Sequence, residues 1–339
     1  MKGWVRFLLL LAVFWALAAA PEAPAQTKVT FGMDYIIYGK HAGFYAALDR
    51  GFYRDAGLDT AILRGYGSGD TVKKVHTRVV DFGFADSGSV IVGRTKGTQV
   101  RLIGMIHDKS MFAIVSLKST GIRTPKDLEG KAIGGPAGSS TWLIFPAFAK
   151  LNGVDESKVK YLPMPDAAKT ASILAGKIDG APYYITELPT AKALATKQGK
   201  ELSALLYADW GVDIYSNGLI APDATIKGKP DLVRGFTAAT MKGMAWAIEN
   251  PDAAVDILLR HYPAIQKDLA RAHWGIAAEY LLTPTAKKHG IGYMGREKMA
   301  ETVRLISTYM GLKSAPPLGE VYTNEFLPKL FPKWKGGGA

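Results

Sequence analysis

The most constraining stretch of the chain runs from Phe31 to Ala61, FGMDYIIYGKHAGFYAALDRGFYRDAGLDTA. It opens with a short apolar run, passes an aromatic loop and enters a small, apolar segment at Ala42–Leu48 that reads as a helix. Gly51 and Gly57 break the chain after that segment, and a second strand is predicted at Leu58–Leu63. Strand, loop, helix, turn and strand make one βαβ unit, which commits this part of the chain to a parallel sheet covered by helices. In open α/β sheets ligands sit at the carboxyl ends of the strands. The loop there is Asp34 to His41, and its Tyr35, Tyr38, Lys40 and His41 suit a binding wall for something flat or anionic.

The same alternation continues to about Leu206, with strands predicted at Val80–Ala85, Gln99–Ile106, Met111–Leu117, Ala132–Gly134, Lys158–Leu162, Lys177–Ala181 and Leu202–Tyr207. Two strand ends lead into hydroxyl-rich helix starts. One is Asp86-Ser87-Gly88-Ser89; the other is Gly138-Ser139-Ser140-Thr141-Trp142. Free amides and hydroxyls at such a start suit a carboxylate, sulfonate or phosphate, although a simple helix cap has the same signature. Gly65-Tyr66-Gly67-Ser68-Gly69 lacks the Gly-Lys-Ser/Thr ending of a nucleotide-binding loop and reads as a structural turn. From Pro230 the chain turns helical, with segments at 231–249, 252–261, 266–282 and 296–310 separated by Asn-Pro and Thr-Pro breaks.

Composition narrows the function. Lys2 and Arg6, the apolar run Phe7–Ala20 and Ala23-Pro24-Ala25 have the form of an export signal, with cleavage expected after Ala25. The chain of 339 residues has no cysteine, which excludes disulfides, thiol nucleophiles and thiolate metal sites. Export without cysteine fits a bacterial periplasm. The net charge of +12 is scattered rather than gathered in blocks. It therefore argues for a dispersed basic surface, not for nucleic acid; affinity for anionic envelope polymers is the remaining basic-surface reading. The six histidines have no metal-ligand spacing, and no Gly-x-Ser-x-Gly is present. Walls and anion seats without a nucleophile favour binding over catalysis.

Several motifs together resemble the type II periplasmic solute-binding proteins of ABC importers, in the group for thiamine-pyrimidine precursors, alkanesulfonates, taurine or nitrate. They are Asp34-Tyr35, His41-Ala42-Gly43-Phe44-Tyr45, Gly51-Phe52-Tyr53, Gly57-Leu58-Asp59, Asp81-Phe82-Gly83, Asp127-Leu128-Glu129-Gly130-Lys131 and Gly176-Lys177-Ile178-Asp179-Gly180. The resemblance implies an α/β protein of two lobes, each a mixed sheet flanked by helices, joined by two hinge crossings near Met111–Ile114 and Gly211–Tyr215. Lobe 1 is expected from residues 26–112 and 215–330, lobe 2 from 113–214, and a tail from 331–339. The implied function is capture of a small anionic or aromatic solute between the lobes and delivery, as a monomer without cofactor, to a membrane permease and its ATPase.

The expected ligand-binding residues are Tyr35, Tyr38, His41, Ser87, Gly88, Ser139, Ser140, Thr141, Trp142, Tyr184, Glu187 and Trp210. Glu187 matches the ring-contacting glutamate of the pyrimidine binders. At Tyr35, Ile37, Tyr38 and Lys40 the chain departs from their pattern of Trp, Pro, Asn and Asn. The alternative is a periplasmic enzyme related to the pyrimidine synthases of the same fold, with His41 as its active-site histidine.

Overall fold

The structure, a computed structural model, describes residues 26–136 and 140–333. The expected export signal, Ser139 and most of the expected tail lie outside them. Ten strands are described: β1 Thr27–Gly32, β2 Leu58–Leu63, β3 Phe82–Asp86, β4 Val100–Met105, β5 Phe112–Leu117, β6 Ala132–Gly135, β7 Lys160–Pro163, β8 Gly180–Tyr184, β9 Leu202–Leu206 and β10 Asn217–Pro222. The helices that pack on the sheets and frame the space between them are α1 Ala42–Asp49, α2 Ser68–His76, α3 Ser87–Thr95, α4 Phe145–Leu151, α5 Lys169–Leu174, α6 Leu188–Thr196, α7 Pro230–Glu249, α8 Pro251–His261, α9 Lys267–Leu281 and α10 Arg296–Tyr309.

The strands form two five-stranded mixed sheets, ordered β2-β1-β3-β10-β4 and β7-β6-β8-β5-β9. In each, one antiparallel strand interrupts a parallel set. β10 runs against β3 and β4, and β5 runs against β8 and β9. These antiparallel strands are the ones that arrive from the other lobe. β3 and β10 are buried at every position, as strands covered by helices on both faces must be.

In the first lobe Phe82 stacks on Phe236 of α7 at 3.9 Å, and Phe31 meets the edges of Phe44 and Phe236. α7 crosses α1 closely because both carry glycine there. A Cβ at Gly243 would overlap Ala47, and one at Gly43 would overlap Met244. A second apolar cluster extends from Val72 and Val90 through Phe112 and Phe145 to Ile306, so it runs continuously from one sheet to the other.

The chain leaves the first sheet through residues 106–111 and returns through 207–216. The two crossings are stitched together, since Ile106 and His107 donate their amides to Asn217 O and Ser216 donates to His107 O. The outward crossing falls upstream of the expected Met111–Ile114. By Phe112 the chain is already paired with Tyr184, and Ala113 is paired with Leu206. β8 likewise begins later than the predicted Lys177, because the Asp179 carboxylate accepts the Ala132 amide at 2.8 Å and starts the strand there. The shift carries Tyr183 and Tyr184 into the strand itself.

Candidate binding cleft

A cavity of about 830 Å³ lies between the lobes. The first lobe supplies the loop after β1 (Asp34, Tyr35, Tyr38, Lys40), the turn at Tyr66–Gly69 and the start of α3 (Asp86, Gly88, Ser89). The second supplies Phe112, Pro136, Ser140, Thr141, Asp166, Lys169, Tyr183, Tyr184 and Glu187. Ile214 and Tyr215 of the return crossing and Ile306 and Met310 at the end of α10 close it.

The loop after β1 is held by one carboxylate. Asp34 Oδ2 accepts Lys40 Nζ at 2.5 Å and Asn217 Nδ2 at 2.9 Å, while Oδ1 accepts His41 Nε2–H at 2.9 Å. His41 Nδ1 in turn lies 3.2 Å from the Tyr38 amide and accepts it. Burial would raise the Asp34 carboxyl, but the Lys40 ammonium and then His41 hold it well below the usual carboxylate range. The same burial would lower Lys40, and Asp34 more than reverses it. Lys40 Nζ also sits 5.2 Å from the centroid of Tyr38 and 5.8 Å from that of Tyr184, so the buried ammonium forms part of an aromatic wall.

Opposite lies a second ionic cluster. Lys169 Nζ donates to Glu187 Oε2 at 2.7 Å and to Asp166 Oδ1 at 2.8 Å, and stands 3.8 Å over the Tyr183 ring. Burial raises the Glu187 carboxyl above its ordinary range against the pull of Lys169. Between the clusters stands Tyr184. Its phenol is pushed well above its usual value by burial and then by the charges of Asp86, Asp34 and Glu187, and Ser140 hydrogen-bonds it. On the cavity wall four carboxylates, of which Asp34 and Asp86 are buried and Asp166 and Glu187 partly exposed, stand with two buried ammonium groups, Lys40 and Lys169. Lys73 and Lys96 also reach the cavity but are exposed. The lining thus holds four carboxylates and four ammonium groups, of which Lys73 and Lys96 are the exposed cations.

Tyr35, Tyr38, Gly88, Ser140, Thr141, Tyr184 and Glu187 are brought together on the cavity wall. Four other expected residues are not. His41 is completely buried and committed to Asp34 and Tyr38. Ser87 donates its hydroxyl to Tyr215 O at 2.6 Å and its amide to Ser216 O, so it fastens α3 to the return crossing. Trp210 packs half-buried against the shared apolar cluster, its carbonyl taken by Asn152 Nδ2 at 2.9 Å. Trp142 is stacked between Tyr161 at 3.9 Å and Phe145 at 4.5 Å. Its Ala variant should lose about 2 kcal/mol of stability. A Trp142→Ala melting temperature equal to that of the parent would contradict this packing role.

Asp86, Asp166 and Lys169 were not among the expected residues. An Asp directly before Ser-Gly-Ser is a helix-cap signal, and Asp166-x-x-Lys169 has helical ion-pair spacing. Neither pattern says that the group faces a cleft.

A two-lobed α/β protein with its cavity walled from both sheets has the fold of a periplasmic binding protein. The aliphatic sulphonate binding protein SsuA of Escherichia coli superposes with a TM-score of 0.67 at 11% identity, over 94% of this chain and 96% of that one. The family model described as NMT1/THI5 like matches residues 39–254, and the chain belongs to that family. It is 27% identical over 321 residues to the riboflavin-binding protein RibY of Chloroflexus aurantiacus, covering 92% of this chain and 89% of that protein. It is also 27% identical over 257 residues to a 4-amino-5-hydroxymethyl-2-methylpyrimidine phosphate synthase of Legionella pneumophila, covering 72% and 77%. Among the described residues no helix is long and apolar enough to cross a membrane, and no group of three His, Cys, Asp or Glu is placed to hold a metal ion.

Proposed function

We propose that this protein is the solute-capturing component of an ABC importer, and that its solute is a flat, neutral or cationic nitrogen heterocycle rather than a simple anion. In this reading the chain is exported, loses its signal after Ala25, works as a monomer in the periplasm and delivers its solute to a membrane permease with its ATPase. The observation that carries the solute class is the pairing of tyrosine faces with carboxylates from both lobes in one cavity. Tyr35, Tyr38 and Tyr184 offer stacking surfaces, and Glu187, Asp166 and Asp86 offer acceptors to ring N–H or amino groups. The cavity lies toward the upper end of the range for small-molecule sites, about 300–1,000 Å³, which suits a polycyclic ring better than a small sulfonate. Riboflavin is the first candidate, because a relative matched over nearly its whole length carries that name.

The test is titration of riboflavin, whose own fluorescence is quenched on stacking, beside a thiamine-pyrimidine precursor and an alkanesulfonate. Micromolar or tighter riboflavin binding is expected, about −8 kcal/mol. Glu187→Ala should weaken it by roughly 1.5–3 kcal/mol, the range for a hydrogen bond to a charged group. Binding of the sulfonate alone would end this reading. The synthase alternative needs a reactive histidine, and the sealed position of His41 speaks against it.

A further inference from the structure

The start of α3 lies in the cleft, and with Ser-Gly-Ser as its first turn it has the makings of an anion seat. That seat already holds a negative charge belonging to the chain. Asp86, extended at φ −71° and ψ 148°, accepts the Ser89 amide at Oδ1 (2.8 Å) and the Ser89 hydroxyl at Oδ2 (2.6 Å). Gly88 is pressed against it, since a Cβ there would stand 2.9 Å from Asp86 Oδ1. The amide and hydroxyl of Ser87 are turned away to the return crossing.

A second observation concerns charge. Asp86 is 2% exposed yet lines the cavity, and among the described residues no Lys, Arg or His pairs with it. A buried carboxylate ordinarily finds a cation. On the far wall Asp166 and Glu187 share the single ammonium of Lys169, and the other lysines that line the cavity, Lys73 and Lys96 on the side of Asp86, are exposed to solvent. An anion entering this cleft meets carboxylates on both walls, and like charges juxtaposed at a binding surface cost several kcal/mol.

We propose that Asp86 is the residue that sets the charge selectivity of the cleft. Its carboxylate fills the anion seat of α3, shuts out sulfonates, phosphates and carboxylates, and leaves lone pairs for a donor on a neutral or cationic solute. The proposal deepens the reading of the cleft as a solute site and rests on it.

Two variants test it by thermal shift and calorimetry, with methanesulfonate and riboflavin as probes. Asp86→Asn removes the charge and keeps a good helix cap, its Oδ1 still accepting the Ser89 amide while its Nδ2 donates to the Ser89 hydroxyl that Oδ2 had accepted. Asp86→Ala also frees the Ser89 amide and hydroxyl. The wild type should show no response to methanesulfonate, Asp86→Asn should bind it at least tenfold more tightly than the wild type does, and Asp86→Ala should bind it more tightly still. Folded variants as indifferent to methanesulfonate as the wild type would overturn the proposal, and so would a wild type that binds methanesulfonate as well as it binds riboflavin. If the wild type fails to bind riboflavin, the solute class is wrong; if it binds riboflavin and the variants gain no anion, only the role of Asp86 is wrong.

Discussion

Asp34→Ala is expected to destabilise the protein by about 3–5 kcal/mol, the cost of removing one partner from a buried ion pair. The reason is what the substitution leaves behind. Lys40 is 4% exposed and has no other carboxylate within ion-pair distance among the described residues, so its ammonium would stay buried and uncompensated. His41 Nε2 and Asn217 Nδ2 would lose their acceptor in the same step. Because Asn217 begins β10, the damage reaches the return crossing as well as the loop that carries Tyr35 and Tyr38. Urea unfolding at neutral pH measures the loss. The double variant Asp34→Ala, Lys40→Met should recover part of it, since the second change removes the stranded charge. A single variant as stable as the parent would show that the network is ornamental.

Acid should begin to weaken the fold below about pH 6.5, where histidines buried in the neutral form start to oppose protonation. Burial lowers the imidazoles of His41, His107 and His273, the last to about 4, with the Lys40 charge acting in the same direction. In the unfolded chain the same groups titrate near their ordinary value of about 6.5. Below that value the unfolded chain takes up protons that the folded chain refuses. Stability therefore falls as pH falls, by up to about 1.4 kcal/mol per pH unit for each histidine. For His273 the window runs from about 6.5 down to about 4.

Asp34 behaves differently. Its folded value is depressed, so its contribution is complete above the ordinary carboxylate range and disappears only below it. Glu187 and Asp108, raised by burial, work against the histidines, so the net slope is shallower than three imidazoles alone would give. Urea midpoints between pH 7 and 4.5 should decline steadily, and His273→Gln should flatten the decline. A midpoint constant from pH 7 to 5 would refute the argument.

The architecture was legible in the sequence because it rests on repetition. Apolar runs of strand length alternate with helical periodicity, and Pro and Gly mark the boundaries. Where the reading slipped, a long-range contact intervened. Asp179 starts β8 by capping Ala132, a partner 47 positions away. The cleft was half legible. Tyr35, Tyr38, Tyr184 and Glu187 stand at strand ends, where an α/β sheet exposes its ligands, and their positions follow from that rule. Ser87, Trp142 and Trp210 lie off the cavity wall, and residue type does not reveal which partner takes a side chain first. A serine at a helix start suits a bound anion as well as a neighbouring carbonyl, and Tyr215 O took it. The carboxylates of the cleft were invisible for a related reason. The net charge of +12 is a property of the whole chain, and nothing in it says that acids from both lobes line one cavity.

The position of β10 has a consequence for how the protein is made. It lies between β3 and β4 in the first sheet, yet more than a hundred residues of the second lobe separate it from them in the chain. The second sheet is contiguous from Phe112 to Leu206 and can finish as soon as that stretch of chain is free to fold. The first sheet cannot, because β3 and β4 keep bare edges until Asn217–Pro222 arrives to fill the gap. Unpaired edges are where chains stick to one another. The interval between the emergence of β4 and that of β10 is therefore when a newborn copy is most exposed to misassembly, and when a chaperone would do the most good.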